Sequence, residues 1–364
     1  ASANLPGSSF EGNDGNFVVN GPAGNTDWVN VHGGVTTGAD LATGQTDNSF
    51  GQGTKESDVN VTVVSGQIPN SKADLGNFYV ANETLANNHV LMYLGWTRID
   101  TSGTTNFDFE INQAAQPDLT TPGPKTLART AGDIIINYDF QGGAQNPTLS
   151  FRTWQANGTW SDATPIGGTS GEAEVNRVSL TNPLAVSPSP STAPAFTFGE
   201  AALDLTALNI VPPGSCAPFS SAYVKSRSSD AFTSAVKDFI APVHLNLSRC
   251  GTVTIIKHTN PGGLNQNFGF TSNLAGSEMV CSTDTTPASF TLNDATIDTE
   301  TCTNVPIGSY IATEGADPAG FDFNDVTCEV TGSGTGAQDG TIEKQVNIGI
   351  NAGGDTVTCT YVND

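Results

Sequence analysis

The chain of 364 residues has few basic side chains: only 13 Lys and Arg stand against 36 Asp and Glu, which gives a formal net charge of −23. Charged residues of both signs make up only 13% of the chain, so the acidity reflects missing bases rather than a dense layer of acids. A protein that follows a phosphate backbone needs clustered Lys and Arg. Because no such cluster is present, we expect neither nucleic acid nor an anionic membrane surface as a partner.

Long apolar runs, paired-cysteine motifs and hydrolase motifs are also absent from the sequence. No run of 18 apolar residues occurs, so membrane insertion is not expected. None of the six cysteines forms C-x-x-C, which argues against a zinc or redox motif. The sequence contains neither the H-E-x-x-H metal motif nor the G-x-S-x-G serine-nucleophile motif. Its four histidines are scattered along the chain: His32, His89, His244 and His258. We therefore predict that the protein is not an enzyme and requires no cofactor.

The residues that are abundant favour short strands joined by turns. Gly (40) and Pro (20) are frequent, whereas Met (2) and other helix formers are scarce. Apolar and polar residues alternate in Phe107–Asn112 and Ile134–Phe140, which predicts antiparallel sheets with one buried and one solvated face. This pattern places Asp108 and Glu110 on the outer face. It predicts an all-β protein whose larger part is a β-sandwich or jelly roll.

One short helix is also predicted. Ser229 is a suitable N-cap, Phe232, Val236 and Phe239 follow at helical spacing, and Pro242 would end the helix. The sequence changes in character from Gly251 onward. We predict three parts: an N-terminal tail (1–15), a large β-sandwich (16–250) and a smaller β-sandwich (251–364).

The start of the chain and its cysteines indicate export. The chain begins with Ala-Ser-Ala rather than Met, as expected of a mature product after removal of a signal peptide. Six cysteines, an even number, fit an oxidising compartment with up to three disulfides. Cys216 and Cys250 flank the predicted helix, and a bond between them would hold it against the sandwich. We expect an extracellular location.

Three segments of the C-terminal part place polar side chains where apolar ones are expected. In Val253–Lys257, Tyr310–Glu314 and Val357–Asn363 the last residue shares the parity of the inward-facing residues before it. Lys257, Glu314 and Asn363 should therefore point into the sandwich. Desolvation disfavours the charged forms of both the lysine and the glutamate.

A buried, neutral lysine is a nucleophile, and a protonated glutamic acid can polarise a neighbouring amide. Attack of the Lys257 amine on the Asn363 carboxamide would release ammonia and leave an isopeptide bond, with Glu314 as the assisting acid. Exclusion of water would hold the partners neutral and in contact. The alternative is an ordinary Lys257–Glu314 ion pair with an asparagine that closes a strand.

These segments, written Gly251-Thr-Val-Thr-Ile-Ile-Lys257, Pro306-Ile-Gly-Ser-Tyr-Ile-Ala-Thr-Glu314 and Cys359-Thr-Tyr-Val-Asn363, resemble the prealbumin-like (SpaA-like) domain. This is the B-type repeat of Gram-positive collagen-binding adhesins and pilins. The resemblance covers about a third of the chain. It implies that Lys257 is the nucleophile, Glu314 the assisting acid and Asn363 the acceptor of an autocatalytic cross-link.

The C-terminal part differs from the sortase-pilin members of this family in its four cysteines. Cys328 and Cys359 lie on predicted strands near the end of the fold and are candidates to pair, which leaves Cys281 with Cys302. Disulfides would then stabilise this domain beside or instead of an isopeptide bond. Since six cysteines allow fifteen connectivities, these pairs rest on position alone.

The N-terminal part resembles large, uncharacterised secreted bacterial proteins in two segments, Asp47–Asp58 and Ser221–Thr233. Asp47, Glu56 and Asp58 also offer hard oxygen ligands within one Gly-rich stretch, so calcium is a candidate ligand there. The alternative is that these side chains form turns with their own backbone.

Together these features predict a structural subunit of a bacterial cell-surface fibre or pilus-like appendage. The polar tail 1–15 and the strand that follows it would complete a neighbour's sheet by strand addition, which gives a homo-oligomer or filament. The alternative is a surface adhesin that binds a host or matrix glycan or protein through its N-terminal domain. A secreted glycan hydrolase, with paired carboxylates, is a third reading.

Overall fold

The computed structural model describes residues 4–41, 47–66, 71–101, 103–143, 145–216, 219–245, 247–283 and 287–364. Residues 1–3 of the predicted tail lie outside this range. The chain forms two compact units. The first comprises Ala1–Pro212 and Phe219–Leu245, and the second comprises Pro213–Pro218 and Asn246–Asp364.

The first unit is built from strands, apart from a single 3-10 turn at Ser71–Ala73 among its described residues. Its strands are β1 (Thr36–Ala39), β2 (Asn48–Phe50), β3 (Asn60–Ser65), β4 (Leu75–Thr84), β5 (Val90–Arg98), β6 (Thr105–Asn112), β7 (Gly123–Thr126), β8 (Ile134–Phe140), β9 (Thr148–Thr153), β10 (Thr164–Ile166), β11 (Gly171–Val175), β12 (Leu180–Thr181), β13 (Thr192–Ala193), β14 (Phe198–Asp204), β15 (Ser221–Arg227) and β16 (Val236–His244).

Two large sheets pack face to face in this unit. A five-stranded sheet has the order β1-β4-β5-β14-β11, and a nine-stranded sheet has the order β10-β9-β8-β6-β15-β16-β2-β3-β7. Trp96 of β5 joins them: its ring contacts Phe107 at 4.7 Å and Tyr138 at 5.5 Å between centroids. Edge-to-face aromatic pairs of this kind add to the apolar burial between the sheets. The fold is all-β, as the sequence predicts.

The outer face of the five-stranded sheet is covered by the N-terminal segment. Leu5 and Phe10 are buried in the first unit's own core, and the Phe10 ring stacks on Tyr93 at 3.9 Å. Tyr93 has the opposite parity to Trp96 on β5, so this strand is buried on both faces. The prediction that residues 1–15 form a free tail for strand donation is therefore wrong for the described residues 4–15. Their apolar side chains are already buried within their own chain.

The predicted helix between Ser229 and Pro242 is also wrong. Val236–His244 forms β16, which pairs with β15 in a register that shifts twice. A β-bulge inserts an extra residue into one strand and interrupts strict alternation. Asp238, Phe239 and Ile240 are consecutive and all buried, which disguises the period of two. Pairing with distant β15 decides the conformation here.

The second unit is a smaller sandwich. Its strands are β17 (Cys250–Thr259), β18 (Phe268–Ser272), β19 (Val280–Cys281), β20 (Ser289–Leu292), β21 (Thr299–Pro306), β22 (Gly308–Glu314), β23 (Phe323–Thr331), β24 (Thr335–Gln338), β25 (Gln345–Ile350) and β26 (Thr356–Asn363). They form two five-stranded sheets, ordered β19-β21-β17-β26-β23 and β20-β18-β22-β25-β24. Val253, Phe270 and Tyr361 belong to the core between the sheets.

Among the described residues, the structure contains no helix with the length and apolar character needed to cross a bilayer.

Candidate functional site

Lys257 and Asn363 lie on neighbouring parallel strands of the second unit. In the pairing of β17 with β26, Lys257 stands opposite Tyr361 and Thr259 opposite Asn363. Burial alternates along both strands, and Lys257 near the end of β17 and Asn363 at the end of β26 occupy buried positions, each 0% exposed. Since side chains alternate between the two faces of a strand, both residues point into the space between the sheets.

Glu314 enters the same space from the opposite sheet. It ends β22, where Ala312 and Glu314 are buried and Thr313 between them is not. The Tyr361 hydroxyl donates a hydrogen bond across the sandwich to the Ala312 carbonyl oxygen at 2.9 Å. This contact fixes the end of β22 against the end of β26, beside the lysine.

The structure brings the three side chains together. The Lys257 amine donates to Oδ1 of Asn363 at 2.5 Å and to the His258 carbonyl oxygen at 2.9 Å. Oε2 of Glu314 lies 3.6 Å from the same amine. Neither carboxyl oxygen of Glu314 has a hydrogen-bond partner, although both are buried. The Phe268 ring lies 4.2 Å below the amine and excludes water from one side.

Burial sets the protonation of these groups. It lowers the pKa of the Lys257 amine and raises the pKa of the Glu314 carboxyl, because a desolvated site disfavours the charged form of each. A lysine that loses its proton more easily is a better nucleophile, and a carboxyl that keeps its proton is a better acid. The arrangement therefore suits attack of the Lys257 amine on the side-chain carboxamide of Asn363. The atom attacked is Cγ, which is bonded to the Oδ1 that the amine already contacts.

Asp317 is a fourth participant that the sequence analysis missed. Nδ2 of Asn363 donates to Oδ1 of Asp317 at 2.9 Å, and Lys344 contacts the other oxygen of Asp317 at 2.6 Å. These contacts fix the orientation of the Asn363 amide, with Oδ1 toward Lys257. The only signal in the sequence is that Asp317 lies three residues after Glu314, in a loop where an aspartate is unremarkable.

Three disulfides lie in the second unit. They join Cys216 to Cys250, Cys281 to Cys302 and Cys328 to Cys359. The last two pairs stand directly opposite each other in antiparallel strand pairs, β19 with β21 and β23 with β26. The bond Cys328–Cys359 therefore ties the strand that carries Asn363 to its outer neighbour. Cys216 and Cys250 flank β15 and β16 rather than a helix.

The three residues predicted to bind calcium are not brought together. Glu56 forms an ion pair with Lys225, and Asp58 accepts a hydrogen bond from the Lys55 backbone amide at 2.8 Å. Asp47 belongs to a different group of carboxylates, with Asp40, Asp74 and Asp238. The prediction of one shared calcium site at these three residues is therefore wrong, because each of them has a different set of neighbours.

Asp108 and Glu110 are not on a solvated face, as the alternation had suggested, but fully buried. Arg227 pairs with Asp108 at 2.6 Å. Glu110 pairs with Arg129 at 2.8 Å and with Lys225 at 2.6 Å. The two arginines and the lysine compensate these carboxylates, so the second face of β6 is covered by a buried network of charges.

The geometry thus defines a two-sheet domain with a buried lysine, asparagine and glutamate at one end. The family model of the prealbumin-like fold domain matches residues 253–364. This match confirms the resemblance drawn from the three segments, and this part of the chain is a prealbumin-like domain. No curated protein matches the chain.

Solved structures with distant similarity include two crystal forms of a bacterial adhesin from Mobiluncus mulieris described as containing disulfide, isopeptide and ester cross-links. One shares 9% identity over 82% of this chain and 94% of that chain, with a TM-score of 0.25. The other shares 10% over 91% and 98%, with a TM-score of 0.27. The major pilin T-13 of Streptococcus pyogenes shares 14% over 72% and 91%, with a TM-score of 0.24. Likeness at this level does not bear on function.

Proposed function

We propose that the protein is a structural subunit of an extracellular bacterial surface fibre, and that an amide bond between Lys257 and Asn363 closes its C-terminal domain. The observation that carries the proposal is the contact of the buried Lys257 amine with the Asn363 carboxamide, beside Glu314. The prealbumin-like domain and the three disulfides of the second unit support it. All of these features strengthen a β-sandwich without providing a substrate site.

The cross-link follows from the geometry in two steps. The neutral Lys257 amine attacks Cγ of Asn363 while the Glu314 carboxylic acid gives its proton to Oδ1, which forms a tetrahedral intermediate. The carboxylate then takes a proton from Nζ and passes it to Nδ2, the Cγ–Nδ2 bond breaks and ammonia leaves, and the Oδ1 hydroxyl returns its proton to Glu314 as the carbonyl forms again. A new Nζ–Cγ amide bond remains and Glu314 is again protonated. Each protein molecule reacts once, without turnover.

The position of this bond suits a protein under tension. It joins the first and last strands of the prealbumin-like domain, β17 and β26, through residues 106 positions apart. Force applied at the two ends of the domain would pass from Lys257 to Asn363 through covalent bonds. The chain between these residues would carry no load and would stay folded.

Intact mass spectrometry of the full chain tests the bond. We expect the wild-type mass to be lower by one ammonia, beyond the hydrogens lost in three disulfides. Glu314→Gln should have the full mass, because no acid is left to protonate Oδ1. Glu343→Gln is the matched control, since Glu343 is an exposed glutamate of the same domain, and it should lose ammonia like the wild type. Recovery of unlinked Lys257 and Asn363 peptides from the wild type would refute the cross-link.

Single-molecule force spectroscopy and electron microscopy test the structural role. Under reducing conditions, Asn363→Ala should gain an extension of about 350–380 Å that the wild type lacks, because 106 residues become free to extend. An equal extension in both proteins would contradict the proposal that the cross-link carries the applied force.

Electron microscopy of concentrated protein should show filaments. A monomer that is insensitive to concentration would contradict the fibre role but not the cross-link.

A further inference from the structure

Four carboxylates of the first unit form a buried cluster that the proposed function does not use. Asp40, Asp47, Asp74 and Asp238 each have an oxygen within 4.8 Å of the others. Their exposed fractions are 6%, 0%, 2% and 0%. Four carboxylates that are this close together and this well shielded from solvent are costly if charged, because neither water nor distance reduces their repulsion.

Both sheets of the first unit contribute to this cluster. Asp40 directly follows β1 and Asp74 directly precedes β4, which are neighbours in the five-stranded sheet. Asp47 directly precedes β2 and Asp238 lies on β16, which are neighbours in the nine-stranded sheet. A ligand held by all four would therefore join the two sheets.

Several buried oxygens at this place receive no hydrogen bond from a side chain outside the cluster. The Asp47 carboxylate contacts the Asn48 backbone amide and Asp40, and Asp40 contacts Asp238, but among the described residues no other side chain donates to Asp47 or to Oδ2 of Asp40. The Ser49 hydroxyl is also buried without a partner. Ser49 stands directly opposite Asp238 in the β2–β16 pairing, and directly opposed residues of antiparallel strands project from the same face. Buried polar atoms in native proteins are normally satisfied, so these oxygens indicate a ligand.

Three of the four carboxylates have no basic side chain paired with them in the described part of the chain. Among the described residues, no Lys, Arg or His forms an ion pair with Asp40, Asp47 or Asp238. This contrasts with Asp108 and Glu110, which basic side chains compensate.

We propose that Asp40, Asp47, Asp74, Asp238 and Ser49 form a calcium site that joins the two sheets of the first unit. All the donors are hard oxygen atoms, which suit calcium or magnesium rather than zinc or copper. Calcium accepts six to eight oxygen ligands in irregular geometry, whereas magnesium requires a near-ideal octahedron and keeps several waters. A buried group of four carboxylates and a hydroxyl matches the requirements of calcium better than those of magnesium.

Calcium titration of the full chain after treatment with EDTA tests the site. We expect one tight binding event by isothermal titration calorimetry. We also expect the unfolding midpoint to rise by roughly 5–10 °C at a calcium concentration about 100 times the dissociation constant. A wild-type protein without a calcium response in either measurement would overturn the proposal. A response to magnesium alone would also overturn it.

Three variants distinguish the site from diffuse binding by an acidic protein. Asp47→Asn should weaken calcium binding at least about tenfold, and it should raise the unfolding midpoint in EDTA because one buried like charge is removed. Ser49→Ala should weaken binding by a smaller factor. Asp162→Asn, at an exposed position of the same unit, should leave binding unchanged. Equal affinity in Asp47→Asn and the wild type would overturn the assignment.

Discussion

The protein contains two fully buried lysines whose surroundings have opposite effects on their charge. Lys225 contacts the carboxylates of Glu56 and Glu110, and their attraction raises its pKa despite burial. Among the described residues Lys257 has one carboxylate within ion-pair distance, Glu314, and weaker attraction from Asp294 and Asp317, so burial still lowers its pKa. The number of close carboxylates decides which lysine stays an ion and which becomes a nucleophile. The residue type alone does not.

At the residue scale, Asp317 should set the rate of the proposed cross-link by orienting the Asn363 amide. Asp317→Ala removes the acceptor for Nδ2, and we expect it to slow ammonia loss about tenfold or more, since misplacement of a reacting group is costly in rate. Asp317→Asn keeps an acceptor oxygen and should restore most of the rate. The measurement is a time course of intact mass after refolding.

A positioning role and a purely structural role give different results here. If Asp317→Ala slows the reaction while its thermal unfolding midpoint matches that of Asp317→Asn, the positioning role holds. Equal rates in both variants and the wild type would show that the Asn363 amide is held by other contacts.

At the element scale, β6 shows how a strand with one polar face becomes buried on both sides. Phe107 and Phe109 face the five-stranded sheet, whereas Asp108 and Glu110 face the opposite way. Arg129 covers this second face: it pairs with Glu110 and stacks on Trp154 and Trp160, within 4.9 and 5.0 Å of their ring centroids. Residues distant in sequence thus bury charges that are individually unfavourable in an interior.

Removing one cation from this network should be strongly destabilising. We expect Lys225→Met to reduce the free energy of unfolding by about 3 kcal/mol, because Glu56 and Glu110 would stay buried without their shared partner. Urea unfolding of the full chain measures the change. Lys125→Met is the control, since Lys125 donates to Thr121 at the surface, and it should cost well under 1 kcal/mol.

A second substitution separates charge from packing in this test. Lys225→Met combined with Glu56→Gln also removes the charge of one of the two buried carboxylates that lose Lys225, and it should recover part of the lost stability. If the double variant is as unstable as the sum of the single ones, the loss comes from packing rather than from unpaired charge.

At the scale of the whole molecule, several buried acids keep their protons well above their usual range. Burial raises the pKa of Asp27 to about 8 and of Glu172 to about 7. Such groups bind protons more tightly when folded than when unfolded. Their favourable contribution is present at low pH and is lost as the pH rises through the folded pKa.

We therefore expect the protein in EDTA to become less stable between pH 5 and pH 8. Each fully titrating group of this kind contributes about 1.4 kcal/mol per pH unit between its unfolded and folded pKa values. Unfolding midpoints across this pH range measure the trend, and a midpoint that rises with pH would contradict it.

The sequence by itself determined the all-β class and the inward positions of Lys257, Glu314 and Asn363. Strand periodicity is local, and the family segments keep their order and end positions. Only the tertiary structure decided that Asp108 and Glu110 are buried, that residues 229–242 are not a helix, and that Asp317 orients the amide. It also decided that Asp47 meets Asp40, Asp74 and Asp238 rather than Glu56 and Asp58. Each of these depends on which distant strand lies alongside, and a pattern of near neighbours does not contain that information.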